Sequence, residues 1–116
     1  MSEAHLDDAV LAALQDVMED EYPVLLDTFL SDSDERLRSL QEAHKVADVQ
    51  VLRLAAHSFK GSCSNMGVPL LAELCKQLEE VARREQFTEV ASLIEQIERE
   101  FAIVRILFRA ERQRYR

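Results

Sequence analysis

Apolar residues along the chain recur at steps of three and four rather than two, the pattern of helices that each bury one face. Leu6, Val10, Leu14 and Val17 form the first stripe, behind Asp7 and Asp8, whose charges suit a first helical turn. It predicts a short helix over about residues 6–18. Pro23 disfavours helical geometry at Tyr22 and is itself tolerated in a first turn, so a second helix starts near Asp20 after a change of direction. Its stripe is Leu26, Phe29, Leu30, Leu37 and Leu40, weakened where Ser33 falls on it. With no Gly or Pro to interrupt it, this helix extends over about residues 20–44.

Asp48 is a natural N-cap for a third helix over about residues 48–66, with Leu52, Ala55, Phe59, Cys63 and Met66 facing inward. Gly67 and Pro69 are the expected punctuation, Gly just past one helix end and Pro just inside the next beginning. The fourth helix covers about residues 69–85 on Leu71, Leu74, Leu78 and Val81, with Glu80 and Arg84 paired on its outer side. Thr88 caps a last helix over about residues 88–112, whose stripe is Val90, Leu93, Ile94, Ile97, Phe101, Val104 and Phe108. Four long amphipathic helices on short connectors pack as an all-α, up-down antiparallel four-helix bundle, with the short N-terminal helix capping one end. The whole of 1–116 reads as a single domain.

Composition narrows the function classes. A chain of 116 residues holds one modest core and leaves no room for a nucleotide-binding lobe. Two Gly, two Pro and no Trp argue against an all-β fold, which needs more turn residues. Twenty-two acidic against fourteen basic residues give a net charge of -8, which repels a nucleic-acid backbone. The charge is uneven: no Lys or Arg precedes Arg36, while Arg105, Arg109, Arg112, Arg114 and Arg116 crowd the C-terminal end. That end reads as a solvated helix face. Cys63 and Cys75 fit neither a zinc spacing nor a C-x-x-C pair, and are expected as reduced core thiols. There is no secretory pattern at the N-terminus and no apolar run of roughly 18 residues, so a cytoplasmic monomer without membrane contact is expected.

Chemistry concentrates on the third helix. At about 100° per residue, His57 lies about 160° from both Ala55 and Phe59, and so points outward. Arg53, Lys60, Gly61 and Ser64 fall within about 60° of it, making one polar, basic and sterically lean strip. Gly61 is informative, because a mid-helix Gly costs about 1 kcal/mol relative to Ala, and access is a physical reason to accept that. An exposed neutral imidazole has one ring nitrogen with a free lone pair, a nucleophile toward phosphorus. Lys60 offers an ammonium to phosphoryl oxygens, and Arg53 adds to it. The strip suits a transient phosphohistidine.

The segment His57-Ser58-Phe59-Lys60-Gly61-Ser62-Cys63-Ser64-Asn65-Met66-Gly67 resembles the signature of histidine-containing phosphotransfer domains. A His, then Lys and Gly at the third and fourth positions after it, small residues, and a Gly ending the helix are all present. Ala55 and Ala56 before it, and Leu71, Ala72, Leu74, Cys75, Leu78 and Glu79 after it, extend the likeness. The resemblance implies a carrier without kinase activity of its own. Such a carrier takes a phosphoryl group from the aspartyl phosphate of one receiver domain, as in a hybrid histidine kinase, and passes it to the Asp of a response-regulator receiver. By family position His57 is the phosphoacceptor, Lys60 assists, Gly61 keeps the approach open, and Glu79 orients the ring. The chain itself is expected to hold no metal or cofactor, since a receiver brings the Mg2+.

Four rival readings make different predictions. The phosphoacceptor region of a sensor kinase follows its His with an acidic residue and a nearby Pro, whereas here Ser58 follows and the next Pro is Pro69. A non-catalytic helical adaptor would tolerate replacement of His57. A Cys63–His57 dyad is blocked by about 120° of helix rotation between them. A nucleic-acid binder would show steep salt dependence.

Overall fold

The computed structural model describes residues 5–115, folded into five helices and two short 3₁₀ turns. Helix α1 spans Asp8–Met18, α2 Tyr22–Lys45, α3 Val49–Asn65, α4 Pro69–Arg83 and α5 Val90–Arg112. Each long helix packs against the next, and α5 closes the ring against α2, giving the up-down bundle. The core is continuous, with Tyr22, Leu26, Leu40, Phe59, Leu71, Leu78, Ile97, Phe101 and Phe108 fully buried. Phe59 packs edge-on against Phe101 at 6.3 Å, and Phe29 lies 5.2 Å from Phe108.

Local chemistry explains where the helices start and stop. The Asp7 carboxylate accepts hydrogen bonds from the backbone N–H groups of Ala9 and Val10, and Asp48 accepts from Val51. The chain leaves α3 through a left-handed Gly67 (φ 70°), and Val68 N–H reaches back to the carbonyl of Cys63. The same geometry recurs without glycine after α2, at Ala47 (φ 57°) with Asp48 bonded to Ala43, and after α4, at Glu85 (φ 58°) with Gln86 bonded to Val81.

Several expectations are corrected in detail. Helix α1 turns Leu11 inward, while Val17 is 79% exposed; Leu6 is buried but precedes the helix. A 3₁₀ turn over Glu19–Glu21, entered through a positive φ at Glu19, makes the change of direction before α2. In α3 the fully buried alanine is Ala56, with Ala55 at the edge, because the helix rolls toward α4. Thr88 caps nothing: it lies inside a 3₁₀ turn over Phe87–Glu89, and α5 begins without a side-chain cap. Cys63 and Cys75 are buried free thiols, and their mutual hydrogen bond, together with burial, pushes the Cys63 thiol up.

The Arg-rich end is a solvated face only in part, with Arg109 and Arg114 exposed. Arg105 pairs with Asp34 and stacks on Phe101, and Arg112 holds Asp27 at 2.9 Å, so α5 is laced to the acidic α2. Tyr22 donates to Glu111 at 2.9 Å beside Tyr115. Arg116 lies outside the described residues. Helix α1 crosses this same end: Asp7 N–H donates to the Gly67 carbonyl at 2.8 Å, and Leu6 and Leu11 share a cleft with Leu107 and Ala110 of α5. A Cβ on Gly67 would sit 3.0 Å from Val10, so both its φ and this close approach require glycine.

Candidate functional site

Helices α3 and α4 run antiparallel on either side of the turn at Gly67, which brings Glu79 opposite His57. The His57 side chain is 63% exposed, whereas the Glu79 carboxylate is 7% exposed. One carboxylate oxygen, Oε2, accepts from His57 Nδ1 at 2.8 Å, and the other, Oε1, accepts from Lys60 Nζ at 2.8 Å. Burial pushes the Glu79 carboxyl up, but hydrogen bonds from Lys60 and His57, with the positive charge of Lys60, hold it below the ordinary glutamate value. Glu79 is therefore an ionised acceptor. It fixes the proton on Nδ1 and leaves Nε2 as the ring nitrogen with a lone pair.

The other residues of the predicted strip divide by role. Gly61 is exposed, and a Cβ built there meets nothing within 4 Å, so no neighbour inside this chain demands glycine. Ser64 is exposed two turns beyond His57, and Arg53 is half-buried, with no ion pair among the described residues. Gly67 belongs to the scaffold: it ends α3 and seats α1. Lys60 and Ser64 also line an open groove of about 340 Å3, with Val10, Val68, Ala72 and Lys76 among its other walls. Lys76 carried no sequence signal, because its place beside Lys60 depends on the register of α4 against α3.

One further contact, between two helices, lies beyond simple helix arithmetic, and a pair within α4 follows from it. Arg36 of α2 donates through Nε to Ser58 Oγ at 3.1 Å on the other flank of His57. Arg83 reaches Glu79 Oε2 at 3.5 Å and Glu80 Oε1 at 2.7 Å. A second histidine–carboxylate pair, His5 Nδ1 to the buried Glu100 at 2.7 Å, ties down the chain before α1. Among the described residues no lysine accompanies this pair, in contrast to Lys60 at the first.

An Hpt domain profile matches residues 24–106, which include His57, Lys60, Gly61 and Glu79. By structure, the chain is similar to histidine-containing phosphotransfer protein B of Pseudomonas aeruginosa PAO1, with 69% sequence identity, a TM-score of 0.95 and 97% of each chain covered. No curated protein matched by sequence. No helix among the described residues is long and apolar enough to cross a membrane. With the helical bundle, the family signature and this similarity in agreement, the chain belongs to the Hpt domain family and has a phosphotransfer role in a two-component phosphorelay.

Proposed function

We propose that His57 is the phosphoryl carrier and that the reacting atom is Nε2. The observation that carries this reading is the exposed imidazole held through Nδ1 by a buried, ionised Glu79. The Nε2 lone pair attacks the phosphorus of an aspartyl phosphate on a receiver domain. The P–O bond to the aspartate breaks, and its electron pair leaves with the carboxylate. The imidazole then carries a positive charge while Nδ1 keeps its proton, and the Glu79 carboxylate lies 2.8 Å from that proton to stabilise it. The onward step reverses these bond changes at the aspartate of a second receiver.

Lys60 supplies positive charge to the phosphoryl oxygens, with Arg53 one turn away on the other side. Gly61 and Ser64 leave the approach to the ring open. The chain contributes neither kinase chemistry nor a metal; the Mg2+ that neutralises the phosphoryl group belongs to the receiver. The partners are receiver domains of hybrid kinases and of response regulators, met by a monomeric single-domain carrier in the cytoplasm.

The test is to mix the chain with a phosphorylated receiver and Mg2+, following acid-labile label by intact mass. Wild type takes up one phosphoryl group, and His57→Gln, with its bundle intact by circular dichroism, takes up none. Label retained at the wild-type level in His57→Gln overturns the assignment. A wild-type chain that binds receivers without being labelled supports the helical adaptor instead.

A further inference from the structure

We infer that two copies of this chain pair weakly through the outward face of α5, side by side and antiparallel, with both His57 sites left free. Helix α5 turns Ile97, Phe101, Val104 and Phe108 into the core. At about 100° per residue, Ala102, Ile103, Ile106 and Ala110 fall together on the opposite side. All four are exposed among the described residues, Ile106 at 68% and Ile103 at 39%. This stripe continues into the cleft that Leu107 and Ala110 share with Leu6 and Leu11. An apolar stripe of this kind on the outside of a helix is a surface that a second helix covers.

Charge identifies which helix fits. One flank of the stripe is acidic before it, at Glu95 and Glu98, and basic beyond it, at Arg109. These three residues lie within about 60° of one another around the helix. Arg109 is exposed and has no ion pair among the described residues. A flank that is acidic at one end and basic at the other complements a copy of itself turned end to end. About a twofold axis near Ile103, Arg109 of each copy comes level with Glu98 of the other and about one turn from Glu95, while Ile103 and Ile106 of both copies meet at the centre. Parallel pairing would set like charges side by side. Arg99, at the head of the stripe, is 70% exposed and keeps its charge in water beside Glu95 at 3.9 Å.

The ring order puts α5 diagonally across from α3, so the pair holds its two His57 faces outward and serves two receivers at once. A few turns of helix bury less than the ~1,600 Å2 of a standard interface, which sets Kd at about 100 µM and leaves the dilute carrier monomeric, as proposed above.

The experiment is sedimentation equilibrium of the full chain from about 5 to 500 µM, a range that brackets this Kd. Wild type should rise from 13.3 kDa toward twice that mass, whereas Ile106→Asp should stay at 13.3 kDa with its helical circular dichroism intact. Arg109→Glu alone, and Glu95→Lys with Glu98→Lys, should each weaken pairing about tenfold. An equimolar mixture of these two variants should pair at least as tightly as wild type, because only in the mixed pair does each altered flank meet its opposite. A wild type that holds 13.3 kDa throughout overturns the inference. So does pairing that Ile106→Asp leaves intact, which puts the contact on another face, and so does a mixture that pairs no better than either variant alone, which rules out the antiparallel arrangement.

Discussion

Gly61 shows most clearly what a single residue contributes. Its absent Cβ would meet nothing in the chain, so Ala at this position should recover the helix propensity that glycine gives up, about 0.5–1 kcal/mol. We expect Gly61→Ala to raise Tm by a few degrees. Gly61→Leu should be no less stable than wild type and yet slow transfer from a receiver, by placing bulk beside the imidazole. Thermal denaturation and stopped-flow transfer on the same two variants check this, and equal transfer rates would remove the access argument. Glu79 acts through His57, as a positioning residue. Glu79→Ala removes a charge-assisted hydrogen bond and should slow acceptance about 10- to 100-fold, while Glu79→Gln, whose amide oxygen still accepts from Nδ1, loses less. The outward face of His57 was legible because helix arithmetic is local. The pairing of His5 with Glu100 was not, because residues so far apart in sequence meet only through the bundle.

At the scale of the element, the helix ends carry the information. Asp48, Gly67 and Pro69 are side-chain signals, and the structure places boundaries where they stand. Ala47 and Glu85 sit in the same left-handed geometry as Gly67, but nothing in their side chains announces it. Each bears about 1–2 kcal/mol of strain that a glycine would not. Ala47→Gly and Glu85→Gly should therefore raise the denaturation midpoint, whereas Gly67→Ala should lower it through both its φ and the contact with Val10. Urea titration of the three variants decides this; a destabilised Ala47→Gly would show that another contact governs that turn. Thr88 misled for a related reason. A hydroxyl residue before an apolar run is a common cap, but here a 3₁₀ turn consumes the position and α5 starts two residues later.

Across the whole molecule, charge is sorted between helices. The early part of the chain is acidic and the end is basic, and the bundle brings them together as Asp34 with Arg105 and Asp27 with Arg112. The composition showed the imbalance but not the closure, because which helices become neighbours depends on the ring order. Asp34, bonded to Arg105, and Glu79, against Lys60 and His57, both have carboxyls held below their ordinary values. Depressed carboxyls contribute stability that is fully present above the unfolded value of about 4, and lost as pH falls through the folded one. Tm should thus be level near neutrality and fall below about pH 4, with a shallower fall in Asp34→Asn. A Tm that instead rises on acidification contradicts these pairings.

The central claim is that one ring nitrogen of one histidine carries the phosphoryl group, and the most direct measurement is the site of phosphorus on the loaded chain. Imidazole-labelled protein, phosphorylated by a receiver and examined by 15N and 31P NMR, should show phosphorus on Nε2 of His57 alone, with Nδ1 protonated toward Glu79. Phosphorus on Nδ1, or on His5 or His44, would contradict the account.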